Sequence, residues 1–192
     1  MNSKNCLIMT NKRAYIFITD GFEAIETLAP IDVMNRAGVE LVRVAVGNCL
    51  DVTSSHALVT LRCDVLLEEV DLCDGDAVIL PGGNPGFINL RNSAKVCRIV
   101  ANYYNEGRLV AAICGAPTVL AAAGVARGHK ITCHSSVVDQ MGDYRYIGGA
   151  VVEDGNLITA AGAGVSVEFA LAVAARLVSA ETLSRTRQGM EV

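Results

Sequence analysis

Residues 109–115, which read L-V-A-A-I-C-G, are the stretch that decides the fold of this chain. Five apolar residues run directly into Cys114, a turn of small residues follows, and residues 119–123 have a helical pattern. A buried strand that ends in a nucleophile and turns sharply into a helix is the layout of a nucleophile elbow. The stretch therefore predicts that Cys114 stands at the carboxyl end of a central strand.

Other apolar runs predict the remaining strands of a mostly parallel sheet. Residues 13–19, 39–46 and 76–80 are short and apolar, and helical segments separate them. Strands that are apolar throughout and alternate with helices are typical of an α/β sheet covered on both faces. At 192 residues, the chain is predicted to form one domain over residues 13–192, preceded by a polar N-terminal extension over residues 1–12.

Several local signals place the ends of individual elements. Asp20 is predicted to cap the first helix, with Glu23 as its capping-box partner. Ser93 is predicted to cap a later helix. Residues 65–70 are expected to form a short helical turn, and residues 130–132 a further short strand of the α/β pattern.

The composition excludes several classes of function. The chain is 52% hydrophobic and 19% charged with a mean hydropathy of +0.38, so it can bury a sizeable core. Its formal net charge is -4, and it has no tryptophan and no basic stripe, which disfavours nucleic-acid binding. No apolar run approaches the roughly 18 residues of a membrane span, and the N-terminus lacks a signal-peptide pattern. A cytoplasmic location is therefore expected.

The cysteines favour free thiols over disulfides or metal ligands. Seven are scattered along the chain with no C-x-x-C pair, at Cys6, Cys49, Cys63, Cys73, Cys97, Cys114 and Cys133. An odd, dispersed set fits neither a disulfide framework nor a zinc site. The G-A-G of residues 162–164 also lacks the full dinucleotide-binding fingerprint, so the sequence predicts neither a metal nor a cofactor.

Four loops are predicted to converge at the carboxyl edge of the sheet. They read D-G-F-E-A-I-E (20–26), P-G-G-N-P-G (81–86), C-G-A-P (114–117) and C-H-S (133–135). In an open α/β sheet the loops after the strands meet in one crevice, where ligands bind. The prediction therefore places a thiol, acidic side chains, a histidine and a glycine-rich backbone in one candidate active site.

Cys114 and Glu26 are the candidate catalytic pair. The start of a helix offers Cys114 unpaired N–H groups and the positive end of a dipole, which favour a thiolate. The alternative for Cys114 is a buried structural cysteine. Glu23 is interpreted as a simple capping acid, whereas Glu26 lies one turn deeper, where partial desolvation would raise its pKa. Such a carboxyl can donate a hydrogen bond to a thiolate or act as a general acid or base.

Backbone amides and one histidine complete the candidate site. Gly82 and Gly83 are predicted to form an oxyanion hole together with a donor from the turn at Gly115. The alternative for this P-G-G sequence is an ordinary tight turn. His134 is the best histidine partner for Cys114, although a lone histidine is more often structural.

At these residues the chain resembles the ThiJ/PfpI superfamily, and within it the branch of the Parkinsonism-associated deglycase, DJ-one. The resemblance covers nearly the whole chain after about Arg13, and its motifs are together highly specific. They are E-A-I-E-T-L-A-P-I-D-V-M-N-R-A-G (23–38), V-I-L-P-G-G-N (78–84), A-A-I-C-G-A-P (111–117), I-T-C-H (131–134), D-G-N-L-I-T-A (154–160) and G-V-S-V-E-F-A-L (164–171).

The resemblance implies a fold, an assembly and a chemistry. The fold is a flavodoxin-like three-layer α/β/α sandwich, and the assembly is a homodimer. Cys114 would be reactive and hydrogen-bonded by a protonated Glu26, with His134 nearby and the amides of Gly82 and Gly83 around the thiol. The implied activity is that of a cofactor-free enzyme of the glyoxalase III or deglycase type, which acts on methylglyoxal-type dicarbonyls or their protein adducts and protects against oxidative stress.

Two other functions use the same residues. In the first, the protein is a non-catalytic redox sensor or chaperone-like protein in which Cys114 is oxidised to a sulfinate. In the second, it is a purely structural dimeric domain whose Cys114 has the reactivity of an ordinary thiol. The sequence does not separate these functions from the enzyme.

The chain departs from the superfamily pattern at two positions. The protease-like branch has a histidine directly after its cysteine, where this chain has Gly115, so protease activity is not expected. Relatives in the deglycase branch often carry an arginine in the loop that corresponds to residues 54–57, across the dimer. The nearest counterpart here is His56, which leaves a substrate-binding role of that loop open.

Overall fold

A computed structural model describes residues 12–192. Residues 1–11 of the predicted N-terminal extension lie outside the described residues. Lys12, the last residue of that extension, already belongs to the fold. Its side chain pairs with Asp76 at 2.6 Å, and its carbonyl accepts the N–H of Glu40 at 2.9 Å.

Eleven strands and six helices make up the described part of the chain. The strands are β1 Arg13–Ile18, β2 Glu40–Ala45, β3 Asp51–Thr53, β4 Thr60–Arg62, β5 Val65–Leu66, β6 Ala77–Leu80, β7 Leu109–Ile113, β8 Lys130–Ile131, β9 Arg145–Tyr146, β10 Val151–Asp154 and β11 Leu157–Ala160. The helices are α1 Ala24–Arg36, α2 Gly86–Asn92, α3 Ala94–Asn105, α4 Thr118–Ala123, α5 Ser166–Leu177 and α6 Ala180–Gly189.

Seven strands form one mixed sheet in the order β10-β11-β7-β6-β1-β2-β5. The pair β10–β11 is antiparallel and the other five pairs are parallel, which confirms the predicted mostly parallel sheet. Parallel neighbours need crossover connections, and helices supply most of them. Because β1, β6 and β7 are central and parallel, their carboxyl ends and the loops that follow lie at one edge of the sheet.

Helices cover both faces of this sheet and give the three-layer sandwich that the resemblance implies. On one face, strand residues such as Ile16 and Ile18 pack with α1 and α5 in one buried cluster. On the other face, the alternate residues Tyr15 and Phe17 pack with α2, α3 and α4. Burying a large apolar side chain contributes roughly 1.5–3 kcal/mol. Two such clusters hold the central strands, and hence the loops at their ends, in place.

Some local predictions are confirmed and others are corrected. Ser93 caps α3, because its side chain accepts the N–H of Val96 at 3.3 Å. Asp20 does not cap α1; its carboxylate instead accepts the N–H of Thr53 at 2.8 Å, and Glu23 caps the helix. The side chain of Asp20 therefore binds the β3–β4 hairpin, although the sequence predicted that it would cap the helix.

Two short segments also differ from their predictions. Residues 65–70 were predicted as a helical turn, but Val65–Leu66 pairs with β2 as the edge strand, and only Leu67–Glu69 is a 3₁₀ turn. The strand predicted at residues 130–132 exists as β8, but it pairs with β9 in a separate two-stranded sheet. Among the helices of residues 12–192, none has the length and apolar character needed to cross a bilayer.

Candidate active site

Cys114 occupies a sharp turn between β7 and α4. Its N–H continues the sheet by donating to the carbonyl of Ala160 at 2.9 Å, and its φ of 65° then reverses the chain direction. Positive φ is uncommon for residues other than glycine, and it is the strained conformation that an elbow imposes on its nucleophile. The predicted elbow is therefore present, and it leaves the thiol half-buried at the edge of the sheet.

The helix itself begins later than the sequence indicated. α4 starts at Thr118 and has only six residues, with tight turns across the intervening C-G-A-P segment. Helix-dipole effects fall off within the first turn. The α4 dipole is therefore a weak influence on Cys114, and the neighbouring side chains and amides decide the protonation of the thiol.

Glu26 is buried in the first turn of α1 directly beside Cys114. Only 1% of Glu26 is exposed, and its Oε2 accepts the backbone N–H of Gly82 at 2.9 Å. Its own N–H donates to the carboxylate of Glu23 at 2.7 Å, which confirms the interpretation of Glu23 as the capping acid. The cap of the helix thus fixes the backbone that carries Glu26 into the site.

Two glycines allow the P-G-G loop to pack between these side chains. A Cβ on Gly82 would lie 2.6 Å from Oε2 of Glu26 and 2.7 Å from Cβ of Cys114. Gly83 has a φ of 93°, and a Cβ there would lie 2.2 Å from the backbone nitrogen of Glu23. Neither position has room for a larger residue. Gly82 allows the loop to approach Glu26 and Cys114, and Gly83 allows it to approach the backbone before α1.

The backbone amides near Cys114 differ in what they bind. The N–H of Gly82 is taken by Glu26, so Gly82 holds the carboxyl group and is not a free donor of the predicted oxyanion hole. The N–H groups of Gly83 and Gly115 face the sulfur of Cys114 and lower the pKa of its thiol. Gly83 and Gly115 are therefore the donors that geometry leaves for an oxyanion formed at this cysteine.

The pKa values of the pair are set mainly by burial. Desolvation raises the pKa of Glu26 from 4.5 to about 7, and the charge of Glu23 adds to this rise. Burial also raises the pKa of the Cys114 thiol to about 12, with a further contribution from the negative charge of an ionised Glu26. Because the two groups are in contact, they lose their protons in two steps that belong to the pair. The pair therefore holds one proton over a wide range above neutral pH.

The position of that single proton decides the chemistry of the site. If it stays on Glu26, the carboxylic acid donates a hydrogen bond to a Cys114 thiolate, and no charge on Glu26 opposes the thiolate. If it stays on the sulfur, the site holds an unreactive thiol beside a carboxylate. The amides of Gly83 and Gly115 favour the thiolate, whereas the amide of Gly82 favours the carboxylate.

We expect Glu26→Gln to remove a pH dependence of stability that the wild-type protein has between about pH 4.5 and about pH 7. The pKa of Glu26 is 4.5 in a solvated chain and about 7 in the folded state, so folding favours the protonated form. The resulting stabilisation is complete below pH 4.5 and is lost as the pH rises through 7, a change of about 3 kcal/mol. Urea unfolding of both proteins over this pH range measures the difference.

The exposed acid Glu168 provides the control for this measurement. Glu168→Gln should follow the wild-type pH dependence, because it removes a carboxyl group that is exposed to solvent. If the curves of the wild-type protein and Glu26→Gln run parallel across the whole range, the raised pKa of Glu26 is contradicted.

His134 lies at the rim of the site and is tied to Cys114 through its backbone. Its N–H donates to the carbonyl of Cys114 at 2.8 Å. Its side chain is exposed, with Nδ1 2.8 Å from the hydroxyl of Ser136. A Cβ on Gly162 would lie 3.6 Å from Cδ2 of His134 and 3.9 Å from Oε1 of Glu26. The structure thus brings the histidine near the carboxyl group, but it shows no side-chain bond from His134 to the thiol among the described residues.

Phe87 is a site residue that the sequence did not reveal. Its ring packs against Gly115, directly after the nucleophile, and it is half-buried. Its only sequence signal is its place at the end of the P-G-G-N-P-G motif. His56, in contrast, is exposed in the 3₁₀ turn Ser55–Ala57, next to the loop before α1.

The thiols and acids of the described residues are not arranged as metal ligands. Within residues 12–192, no three His, Cys, Asp or Glu side chains are grouped so that they would hold a metal ion. The six cysteines in this range are all free.

The comparison with protein families agrees with this geometry. The sequence profile of the DJ-1/PfpI family matches residues 12–176, most of the described chain. The chain belongs to the DJ-1/PfpI family. This finding confirms the resemblance that the sequence motifs indicated.

DJ-1/PfpI proteins of known sequence and structure align along nearly the full chain. The Parkinson disease protein 7 homolog of Danio rerio is 36% identical over 182 residues, which cover 93% of this chain and 96% of that protein. The crystal structure of DJ-1beta from Drosophila melanogaster superimposes with a TM-score of 0.91 at 35% identity, covering 95% of this chain and 98% of that one.

Two further DJ-1/PfpI relatives have names that state an activity. A protein of Caenorhabditis elegans named glutathione-independent glyoxalase is 32% identical, over 83% of this chain and 84% of its own length. A protein of Thermococcus kodakarensis named deglycase is 33% identical, over 77% of this chain and 88% of its own length. The elbow cysteine and the buried glutamate described above thus occur in a family with glyoxalase- and deglycase-named members.

Proposed function

We propose that this DJ-1/PfpI protein is a cysteine-dependent, cofactor-independent enzyme that acts on methylglyoxal-type dicarbonyls or their protein adducts, in the manner of a glyoxalase III or deglycase. One observation carries the proposal: the buried carboxyl group of Glu26, with a pKa of about 7, lies against the elbow thiol of Cys114. A carboxyl poised near neutral pH can both donate and accept a proton during a reaction. The glyoxalase- and deglycase-named relatives support the same chemistry.

The first step is the addition of Cys114 to the aldehyde. The thiolate forms a C–S bond to the aldehyde carbon, and the carbonyl electron pair moves to the oxygen. The N–H groups of Gly83 and Gly115 stabilise the oxyanion. Glu26 then gives its proton to this oxygen, which yields a neutral hemithioacetal and leaves Glu26 as a carboxylate.

The second step converts the hemithioacetal into a hydroxy acid. The Glu26 carboxylate removes the proton from the carbon bonded to sulfur, and the electron pair moves to the ketone oxygen to form an enediolate. Glu26 gives this proton to the former ketone carbon, and the proton on the oxygen next to sulfur passes to the other oxygen, which gives a thioester. Water then adds to the thioester, the C–S bond breaks and the Cys114 thiolate is regenerated; of the two protons released with lactate, one returns to Glu26 and the other leaves the site. The sum is methylglyoxal plus water giving lactate and a proton, and His134 at the rim is the alternative proton carrier.

The test of the proposed function is lactate formation from methylglyoxal in the absence of glutathione and other thiols. Lactate is the informative product, because lysine and arginine side chains consume methylglyoxal without releasing a hydroxy acid. Enzymatic assay of both lactate enantiomers measures it, with heat-denatured protein as the blank. We expect steady formation of lactate over many turnovers, and an amount no greater than the blank would contradict the proposal.

A redox sensor is the second candidate function, and the exposure of the thiol favours it. Cys114 is half-buried, whereas Cys63 and Cys133 are buried. Dilute peroxide is expected to add two oxygen atoms to Cys114, because a sulfinate there would accept hydrogen bonds from Glu26 and the neighbouring amides. Intact and peptide mass spectrometry locate the oxygens. Equal oxidation of the exposed Cys49 and Cys73 would contradict a dedicated sensor.

A homodimer is also part of the proposal. Ile25 is 55% exposed and Leu28 is 39% exposed on α1, and Leu58 is 75% exposed in the loop beside the start of that helix. Exposed large apolar side chains that lie close together are typical of an interface. We expect sedimentation equilibrium to give about twice the 20.2 kDa chain mass, and Leu58→Asp to shift this mass towards the monomer. A wild-type monomer would contradict the dimer.

A further inference from the structure

The side chain of Phe87 packs against the residue that follows the nucleophile, and its ring is here called the wall. A Cβ on Gly115 would lie 2.6 Å from Cδ1 and 2.7 Å from Cγ of Phe87, so the ring fills the space in which a side chain would stand. Gly115 directly follows Cys114, and its N–H faces the sulfur. The ring therefore packs against the residue that follows Cys114 and that supplies one of the two amides at the sulfur.

Two contacts of Phe87 help to fix it in this position. The backbone N–H of Phe87 donates to the carbonyl of Gly83 at 2.8 Å, which ties it to the other oxyanion donor. The guanidinium carbon of Arg91 lies 5.9 Å from the ring centroid, on the scale of a cation–π contact. Arg91 is in turn fixed by a 2.6 Å hydrogen bond to the side chain of Gln140. The ring cannot swing aside without losing its contacts with Gly115 and Arg91.

The part of the site between His134 and Glu26 is formed differently. There Gly162 leaves a gap between the ring of His134 and the carboxyl group of Glu26. The backbone of Gly162 is extended, with a φ of 163°, a conformation that other residues also adopt. Gly162 therefore leaves space beside Glu26, whereas the ring of Phe87 fills the space beside Gly115.

We propose that Phe87 is a specificity-determining residue that limits the group attached to the reacting carbonyl, so that the site takes small free α-oxoaldehydes and excludes bulky aryl or protein-bound ones. This inference rests on the proposed function for its substrate class, but not for the geometry of the wall. A group larger than methyl on the carbonyl would contact the ring as Cys114 attacks. Free methylglyoxal is consequently the substrate, and protein adducts are not.

Alkylation of Cys114 by reagents of different size tests the wall without requiring turnover. The rate constants of iodoacetamide and of a bulky N-aryl maleimide are measured on the Cys114 peptide, for the wild-type protein and for Phe87→Ala. The rate constant of the bulky reagent divided by that of the small reagent is expected to rise at least about tenfold in Phe87→Ala. This is the effect of relieving steric exclusion in a pocket. Phe87→Leu should restore part of the wild-type ratio.

A matched control separates the wall from a loss of stability. Ile88→Ala removes the neighbouring half-buried side chain of α2 and should keep the wild-type ratio, and thermal unfolding of each variant is recorded alongside. An unchanged ratio in Phe87→Ala overturns the wall, even if that variant is less stable.

Measurements of turnover then test the role of Phe87 separately from the proposed function. In Phe87→Ala, kcat/KM for phenylglyoxal relative to methylglyoxal should rise with the alkylation ratio. A changed alkylation ratio in a protein that forms no hydroxy acid supports the wall and contradicts the proposed function. An unchanged ratio in a protein that forms lactate overturns the wall alone.

Discussion

Replacing Cys114 by serine is expected to abolish lactate formation, with a loss of roughly 10³-fold or more in kcat/KM, the size of effect seen when a covalent nucleophile is removed. A hydroxyl group is far less acidic than a thiol, so a single neighbouring carboxyl group cannot supply the alkoxide that attack on the aldehyde requires. Serine is otherwise nearly the same size as cysteine, and it can adopt the same elbow. The measurement is the thiol-free lactate assay with both enantiomers quantified.

Cys73→Ser is the matched control for this substitution. Cys73 is exposed in the segment before β6, at the opposite edge of the sheet from the site, and it undergoes the same chemical change. This variant should keep wild-type turnover. If Cys114→Ser retained turnover within a factor of about two, the covalent mechanism would be wrong, and the lactate would have to arise elsewhere in the protein.

Replacing Glu26 by glutamine is expected to slow the alkylation of Cys114 near neutral pH by roughly tenfold, the equivalent of about one pKa unit. In the wild-type protein the pair loses its first proton near pH 7, and the proposed mechanism leaves the second on Glu26, so the thiolate appears in that first step. In Glu26→Gln the buried thiol titrates alone. Its thiolate then forms only above the free-cysteine pKa of about 8.5, because burial opposes the charge.

The direction of this change identifies the atom that holds the shared proton. If the proton were on the sulfur, an ionised Glu26 would oppose the thiolate, and glutamine would accelerate alkylation by removing that charge. A faster reaction in Glu26→Gln would therefore contradict the proposed mechanism. Iodoacetamide labelling followed on the Cys114 peptide avoids interference from the other free cysteines. Glu168→Gln controls for the loss of one negative charge at the surface.

The pH profile adds a second distinction between the proteins. The wild-type rate should rise near pH 7, reach a plateau and rise again only towards the second step at about 12. The alkylation rate of Glu26→Gln should rise only once, because the Cys114 thiol titrates alone in this variant. Urea unfolding shows how many protons the folded protein binds, but not which atom holds them. The pH profile of alkylation adds that information, so the two measurements together locate both protons of the Cys114–Glu26 pair.

Local sequence patterns were sufficient for the elements that build the sheet. The apolar runs at β1, β6 and β7 predicted buried central strands, and all three are buried along almost their whole length. The elbow at Cys114 followed from one of these runs meeting a turn of small residues. These signals work because burial and backbone conformation at such positions depend on residues that are close in the chain.

Two local predictions, for Asp20 and for residues 65–70, failed because of contacts between distant segments of the chain. Asp20 has the sequence signature of a cap, but its carboxylate binds the N–H of Thr53 in a hairpin that periodicity could not bring next to it. Val65–Leu66 has no strong strand pattern, and it becomes a strand because the free edge of β2 pairs with it. In both cases a hydrogen-bonding group found a better partner in the tertiary structure than its local sequence offered.

The sequence by itself determined the family, the mostly parallel α/β sheet and the placement of Cys114 and Glu26 at one edge of it. Only the tertiary structure decided which groups surround Cys114 and Glu26 at that edge. It assigns the N–H of Gly82 to the carboxyl group of Glu26, leaves Gly83 and Gly115 facing the sulfur, and packs Phe87 on Gly115. The physical reason is that strand and helix formation depend on neighbours in the chain. The ionisation of a buried thiol depends on the charges, amides and rings that packing brings within a few ångströms of it.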